Sequence, residues 1–161
     1  MSTQPEEAVF EDSAVLGAPA AVAGSPWVVM KFGGTSVSTA DSWKTIAGLA
    51  GARIAQGLRP VIVHSALAGV SNNLAAVLDT AVTADPSAQL QQIRTQHYQL
   101  AEDLGLDGES LLEERLHELE QLVAGVRLVK EVSVRVRVRV MALGELLSTS
   151  LGAAFLAAQG L

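Results

Sequence analysis

Two short apolar runs with a helical pattern between them constrain the fold of this chain more than any other feature. The runs are Trp27-Val28-Val29-Met30 and Val61-Ile62-Val63. Continuous runs rich in β-branched residues are typical of strands buried on both faces, as in a parallel sheet. Between them lies an apolar stripe at helical spacing: Trp43, Ile46, Ala50 and Ile54. The order strand, helix, strand predicts a right-handed βαβ unit and therefore an α/β fold.

Charge and composition exclude several classes of protein. The formal net charge is −6, whereas binding to a nucleic-acid backbone requires clustered positive charge. The sequence has no cysteine, which excludes disulfides and zinc-thiolate sites and fits a reducing compartment such as the cytoplasm. The longest apolar tract, 146–161, is shorter than the ~20 residues of a spanning helix, so we expect a buried core helix and no membrane partner.

The chain divides into an N-terminal leader and one folded domain. Residues 1–26 are rich in Ala, Gly, Pro and acidic residues without sustained periodicity, so we expect a flexible leader. Residues 27–161 carry the periodic patterns. Ser38 and Asp41 have the spacing of a capping box, which predicts a helix from about Thr39.

Three further helical patterns follow the second strand. One runs from about 71 to 82, and the next two should form an antiparallel helical hairpin. Asp85-Pro86 and the Ser110–Glu113 capping box mark the starts of the hairpin helices. Their apolar faces are formed by Leu90, Ile93, His97, Leu100 and Leu104, and by Leu112, Leu116, Leu119 and Val123.

The segment Val132 to Val140 is ambiguous. Valines alternate with Arg135, Arg137 and Arg139, which is the period of an exposed amphipathic strand. The composition of 141–160 is instead helical.

The first candidate site follows the first strand. In Lys31-Phe32-Gly33-Gly34-Thr35-Ser36-Val37, glycines let backbone amides approach a phosphate, and Lys31 can place an ammonium on phosphoryl oxygens. Lysine precedes the glycines, unlike in a Walker loop, and the third glycine of a dinucleotide fingerprint is missing. A plain strand-to-helix turn would also explain two glycines.

The second candidate site follows the second strand. Ser65-Ala66-Leu67-Ala68-Gly69-Val70-Ser71-Asn72-Asn73-Leu74 brings hydroxyls and amides to the neighbouring strand end. Ligands of open α/β sheets bind at the carboxyl ends of the strands, so the two segments are expected to share one site. The alternative is a capped turn in which Ser71 starts the next helix.

Three segments together resemble the aspartate kinases of the amino-acid-kinase superfamily. Residues 31–37 match the K-F-G-G-T-S-V signature of that family, and 65–74 resemble its second motif. Leu143-Gly144-Glu145-Leu146-Leu147-Ser148-Thr149 resembles the glycine-glutamate motif that opens a helix. The resemblance implies the N-terminal, substrate-binding part of a carbamate-kinase-like three-layer αβα sandwich, cut off before its nucleotide-binding half. It also implies a helix across 132–140, with Ser133 as its candidate N-cap.

The resemblance assigns roles residue by residue. Lys31, Gly33, Gly34 and Thr35 would contact ATP phosphates, with Lys31 as the catalytic group. Ser65 and Ser71 would hold the substrate L-aspartate, and Glu145 would pair with its ammonium group. Ser71 replaces the commoner threonine, and His64 stands where the family has an apolar or small residue. Mg²⁺ would arrive with ATP, and no metal ligand is assigned to this chain.

The expected reaction is phosphorylation of the β-carboxylate of L-aspartate, the first step of lysine, threonine and methionine biosynthesis. That carboxylate is ionised at neutral pH, because its pKa lies near about 3.9, so no general base is needed. We therefore interpret His64, His97 and His117 as ordinary polar residues. The resemblance further implies a cytoplasmic, homo-oligomeric parent protein. The acidic leader resembles the start of bifunctional aspartate kinase–diaminopimelate decarboxylases, and we expect little or no activity from the chain by itself.

Two alternatives remain open from sequence. Another kinase of the same fold, acting on glutamate, acetylglutamate or uridylate, would share Lys31 and its glycines; Glu145 and Ser71-Asn72 favour aspartate. A non-catalytic interaction module is the other alternative, in which the leucine-rich hairpin 90–123 would bury a partner's surface.

Overall fold

The computed structural model describes residues 24–161, so most of the predicted leader lies outside the described residues. It contains two strands and five α-helices, with a short 3-10 helix, Gly34–Val37, after the first strand. The strands are β1, Trp27–Phe32, and β2, Arg59–His64. The helices are α1, Ala40–Ala55; α2, Val70–Thr83; α3, Ser87–Asp103; α4, Gly108–Val129; and α5, Val134–Ala158.

Strands β1 and β2 form the predicted parallel pair, joined through α1. Their register aligns Trp27 with Arg59 and Phe32 with His64. The prediction that both faces of these strands are buried is wrong for the described chain, because exposure alternates along both strands. One face packs on α1 and α5, while Val29 and Val63 on the opposite face are 68% and 46% exposed. Helices cover the sheet on one side only within residues 24–161.

Helix α1 begins where the sequence predicts, but a different residue caps it. Thr39 is the N-cap, and its hydroxyl accepts a hydrogen bond from Ser42 N at 3.2 Å. The predicted capping residue, Ser38, instead donates to the carbonyl of Gly34. The Ser38 hydroxyl also accepts a hydrogen bond from Ala68 N, 30 residues away, so a long-range contact takes the acceptor that a capping box would use.

Helices α3 and α4 form the predicted antiparallel hairpin. Arg94 binds Glu113 and Glu120 across it, at 2.7 and 2.9 Å. Asp107 rather than Ser110 caps α4, accepting hydrogen bonds from the backbone of Glu109 and Ser110. The apolar face of α4 is buried within the chain itself. Its residues are Leu112, Leu116, Leu119 and Val123. This face is therefore used in the core, which disfavours the interaction-module alternative.

The segment 132–140 is helical, as the family resemblance implied, and the strand period is misleading. Ser133 caps α5, and its hydroxyl accepts from Val136 N at 3.3 Å. Helical geometry spreads the arginines around the axis, so that Arg137 binds Asp79 of α2 and Arg139 binds Glu118 of α4. These ion pairs fix α5 against two other helices.

Helix α5 is 25 residues long and apolar enough, by length and composition, to cross a membrane. In the fold it packs against α2, α4 and the sheet, and Leu143, Leu147 and Leu151 are fully buried. A helix with these contacts is the expected core helix.

Candidate active site

The site begins at the carboxyl ends of β1 and β2, which are neighbours. Lys31 is paired in register with Val63, and Ser65 follows Val63 by two residues, just after β2 ends. Lys31 is exposed and lies on the open face of the sheet, whereas Phe32 points to the side packed by helices. The ammonium group of Lys31 is therefore available to a ligand at this edge.

The glycine segment after β1 lies directly on the loop after β2. A Cβ atom on Gly34 would stand 2.9 Å from the carbonyl oxygen of Ala66 and 3.3 Å from Ala68 N. Such a contact is too close for any side chain at position 34. The glycine is required by contact between the two loops, in addition to any role towards a phosphate.

Ser38 fastens these two loops together. Its hydroxyl donates to Gly34 O at 2.6 Å and accepts from Ala68 N at 2.8 Å. On the other side, the amide of Gln96 in α3 donates to Ala68 O at 3.1 Å. Sequence reasoning missed both roles. For Ser38 the local signal was its capping-box spacing with Asp41, which indicates a different role. Gln96 gave no signal because its partner is 28 residues away.

The loop after β2 turns sharply into α2. Gly69 has φ of 81°, a left-handed conformation that glycine adopts without strain. Ser71 follows in the first turn of α2 and is exposed, and Ser65 is half-buried. Both predicted serines thus flank the same short loop.

The third predicted segment reaches the loop from α5. A Cβ on Gly144 would lie 2.8 Å from a Leu74 methyl and 3.3 Å from the Ala66 side chain. Glu145, the next residue, is exposed. The loop between β2 and α2 (residues 65–69, the Ala66 loop) is therefore contacted by both Gly34 and Gly144.

The structure consequently brings the predicted residues to one region. Lys31 and the glycine segment lie at one strand end, Ser65 and Ser71 at the next, and Glu145 on the helix packed against that loop. No group of three or more His, Cys, Asp or Glu side chains within 24–161 has the arrangement of a metal site. We derive no step through Mg²⁺ from the residues of this part of the chain.

Comparison with known proteins supports this reading of the fold. Aspartokinase 1, chloroplastic, of Arabidopsis thaliana is 37% identical over 133 residues, which are 80% of this chain and 23% of that protein. An aspartokinase of Rickettsia bellii is 40% identical over 65 residues, covering 40% of this chain and 16% of the relative.

A solved structure is similar over most of the chain. The crystal structure of E. coli aspartokinase III in complex with aspartate and ADP superimposes with a TM-score of 0.69 at 28% sequence identity. The match covers 82% of this chain and 29% of that one. The chain thus spans about a quarter of the length of its relatives, and the predicted fold class is confirmed. The sequence model of the amino acid kinase family matches residues 26–161, and the chain therefore belongs to that family.

Proposed function

We propose that this chain is the N-terminal part of an aspartate kinase, which transfers the γ-phosphoryl group of ATP to the β-carboxylate of L-aspartate. The observation that carries the proposal is that the glycine segment after β1 and helix α5 both contact the Ala66 loop, with exposed Lys31 at the adjoining strand end. The E. coli relative binds aspartate and ADP, which supports the same ligands here.

Each group has a role that follows from its charge or from the hydrogen bonds it can donate. Lys31 would stabilise the charge on the transferring phosphoryl group, and the backbone of Gly33, Gly34 and Thr35 would cradle the phosphates. Ser65 and Ser71 would donate hydrogen bonds to the substrate, whose ammonium group would pair with Glu145. Because the nucleophile is a carboxylate, catalysis here is positioning and charge neutralisation without a general base.

The glutamate, acetylglutamate and uridylate kinase alternatives differ from this proposal in substrate only. Glu145 favours a substrate that carries an ammonium group, which excludes neither glutamate nor aspartate by itself. The cytoplasmic location, the homo-oligomeric state, the place in lysine biosynthesis and a second decarboxylase activity of the parent protein remain predictions.

The nucleotide site is tested by NMR titration of the ¹⁵N-labelled chain with Mg²⁺–ADP. We expect shifts at the amides of Lys31 to Thr35, and weak binding, since the chain is a quarter of its relatives' length. Lys31→Met should abolish these amide shifts. Lys44→Met is the matched control, because Lys44 is an exposed lysine paired with Asp41 on α1.

Activity is tested in the full reading frame that encodes this chain. Lys31→Met should lower kcat/KM by about 10³-fold, as expected for loss of a charge that stabilises the transition state. Lys44→Met should have no effect. A panel of aspartate, glutamate, acetylglutamate and uridylate identifies the substrate. ADP release with one of the other three and none with aspartate would refute the proposal.

A further inference from the structure

Buried Trp43 and Ser148 and half-buried His64 form a cluster that links the three segments of the candidate site. Trp43 and Ser148 are fully buried. The indole Nε1 of Trp43 donates to the carbonyl of Val37, the last residue of the glycine segment, at 2.9 Å. The edge of the Trp43 ring meets the His64 ring, with centroids 5.2 Å apart and planes at 87°. The Trp43 side chain therefore links the glycine segment after β1 to His64 at the end of β2.

His64 extends this cluster to both other segments. Its Nδ1 lies 3.3 Å from the Ser148 hydroxyl on α5 and 3.1 Å from the backbone carbonyl of Ser65. The link to His64 is the one hydrogen bond of the Ser148 hydroxyl within residues 24–161. A buried hydroxyl that loses its partner carries the full cost of its desolvation, so this contact is strongly specified.

The same two residues adjoin the groups assigned to the substrate. Ser65 follows His64 directly, and Glu145 lies three residues before Ser148, one turn away on α5. The His64–Ser148 contact therefore joins the end of β2 to α5, one residue from Ser65 and one helical turn from Glu145. We therefore expect a change in this contact to alter the spacing of the Ser65 and Glu145 side chains.

We propose that His64 is a positioning residue that sets the distance between Ser65 and Glu145, and through it the affinity for an amino-acid substrate. The proposal rests on the proposed function for the identity of that substrate. It gives a role to a histidine at a position where the resemblance leads us to expect a small or apolar residue. His64 acts through its neighbours and takes no proton from the substrate.

The link itself is tested in the 161-residue chain by NMR, independently of kinase activity. Ser148→Ala should move the His64 ring ¹⁵N signals and the Ser65 amide signal. Ser150→Ala is the matched control, because Ser150 lies on the same helix and donates to the carbonyl of Leu146. Unchanged His64 ring signals in Ser148→Ala would overturn the proposal.

The effect on substrate is tested by steady-state kinetics of the full reading frame. His64→Leu should raise KM for aspartate about three- to tenfold, the range expected for loss of one buried hydrogen bond, with KM for ATP unchanged. His64→Asn should restore the KM, because its amide lies where Nδ1 was, whereas His64→Gln should not. Ser148→Ala should reproduce the effect of His64→Leu and provides the same test if the leucine variant does not fold.

The outcomes separate this inference from the proposed function. Turnover of aspartate with an unchanged KM in both variants would refute the positioning role and leave the kinase assignment intact. Turnover of a different substrate, with the NMR link present, would refute the assignment to aspartate. In that case a raised KM for the true substrate in Ser148→Ala still supports the positioning role.

Discussion

The α3–α4 hairpin and the strand-end site differ in how their polar and apolar groups are satisfied. In the hairpin, the leucine stripe is buried and Arg94 is paired with two carboxylates. At the site, Lys31, Ser71 and Glu145 are exposed, and the sheet face beside them is open. The hairpin is thus a structural element completed by contacts inside the chain, whereas the candidate site presents its polar side chains to solvent.

The pKa values of charged groups in the hairpin also indicate a structural role for this element. Hydrogen bonds to Glu113 and Glu120 raise the pKa of Arg94 above its ordinary value. The hydrogen bond from Arg94 lowers the pKa of Glu113 below its ordinary value, and one from Tyr98 adds to this. Perturbed pKa values often mark functional sites, but these charged groups are paired with one another across the hairpin. They are better explained as a structural network that holds two helices together.

The largest expected effect tests whether the hairpin is core or interface. Leu116 is 2% exposed, so Leu116→Asp would bury an unpaired carboxylate and lower the free energy of unfolding by about 4 kcal/mol or more. The matched control is Leu128→Asp on the same helix, where the leucine is 83% exposed and a loss within about 1 kcal/mol is expected. Urea denaturation followed by circular dichroism gives both values.

Sedimentation of the same variants distinguishes the interaction module. A Leu116→Asp chain that remains folded but sediments with a lower mass than the parent would contradict the core assignment. Loss of folding without a prior oligomer would agree with it.

Local sequence patterns predicted most of the elements, because helices and strands of this chain follow from periodicity and turn residues. They failed where distant contacts decide the outcome. Alternating valines and arginines at 132–140 have the period of a strand, yet the segment continues into a helix whose Val140, Leu143 and Leu147 are fully buried. Burial against distant elements decides the helix, and the exposed ion pairs of Arg137 and Arg139 add little to it. Ser38 was predicted as a cap because its bond to Ala68, 30 residues away, is invisible in a local pattern.

The site was predictable in its position but not in its internal support. The positions of Lys31 and Ser65 after two strands predicted that they lie close together, since strand ends of a parallel pair lie side by side. Glu145 was assigned only through the family resemblance. The contacts that hold these segments, such as Gly144 against Ala66, depend on helix packing that no single segment encodes.

A second prediction compares two helical glycines, one under the site and one in the hairpin. A Cβ on Gly152 would overlap the Trp43 ring, and moving that ring disturbs its bond to Val37. Gly152→Ala should therefore cost about 1–3 kcal/mol through overpacking. Gly125 of α4 has open space around it, so Gly125→Ala should stabilise the chain by about 0.5–1 kcal/mol.

Thermal and urea unfolding of the two alanine variants provide the measurement. Opposite signs are expected, because alanine is the better helix former at both positions and only packing differs. Stabilisation by Gly152→Ala would mean that the Trp43 ring is less tightly packed against Gly152 than the distances between them indicate.

The smallest effect concerns His97, which lies in the core of the hairpin. Its side chain is fully buried, Nδ1 donates to the carbonyl of Ile93 at 2.7 Å, and Nε2 has no hydrogen-bond partner within residues 24–161. Burial lowers the pKa of His97 below its ordinary value, and the bond to Ile93 opposes this only in part. As the pH falls through about 6.5, the unfolded chain therefore binds a proton that the folded chain refuses.

Stability should be complete above pH 6.5 and should decline below it, by at most about 1.4 kcal/mol per pH unit for this one group. Urea denaturation between pH 7.5 and 5.5 measures the slope above the range in which carboxylates titrate. His97→Leu should flatten it, whereas His117→Leu, at an exposed histidine of α4, should leave it unchanged. A slope that persists in His97→Leu would place the proton uptake elsewhere, and the hairpin core would then contribute nothing to acid sensitivity.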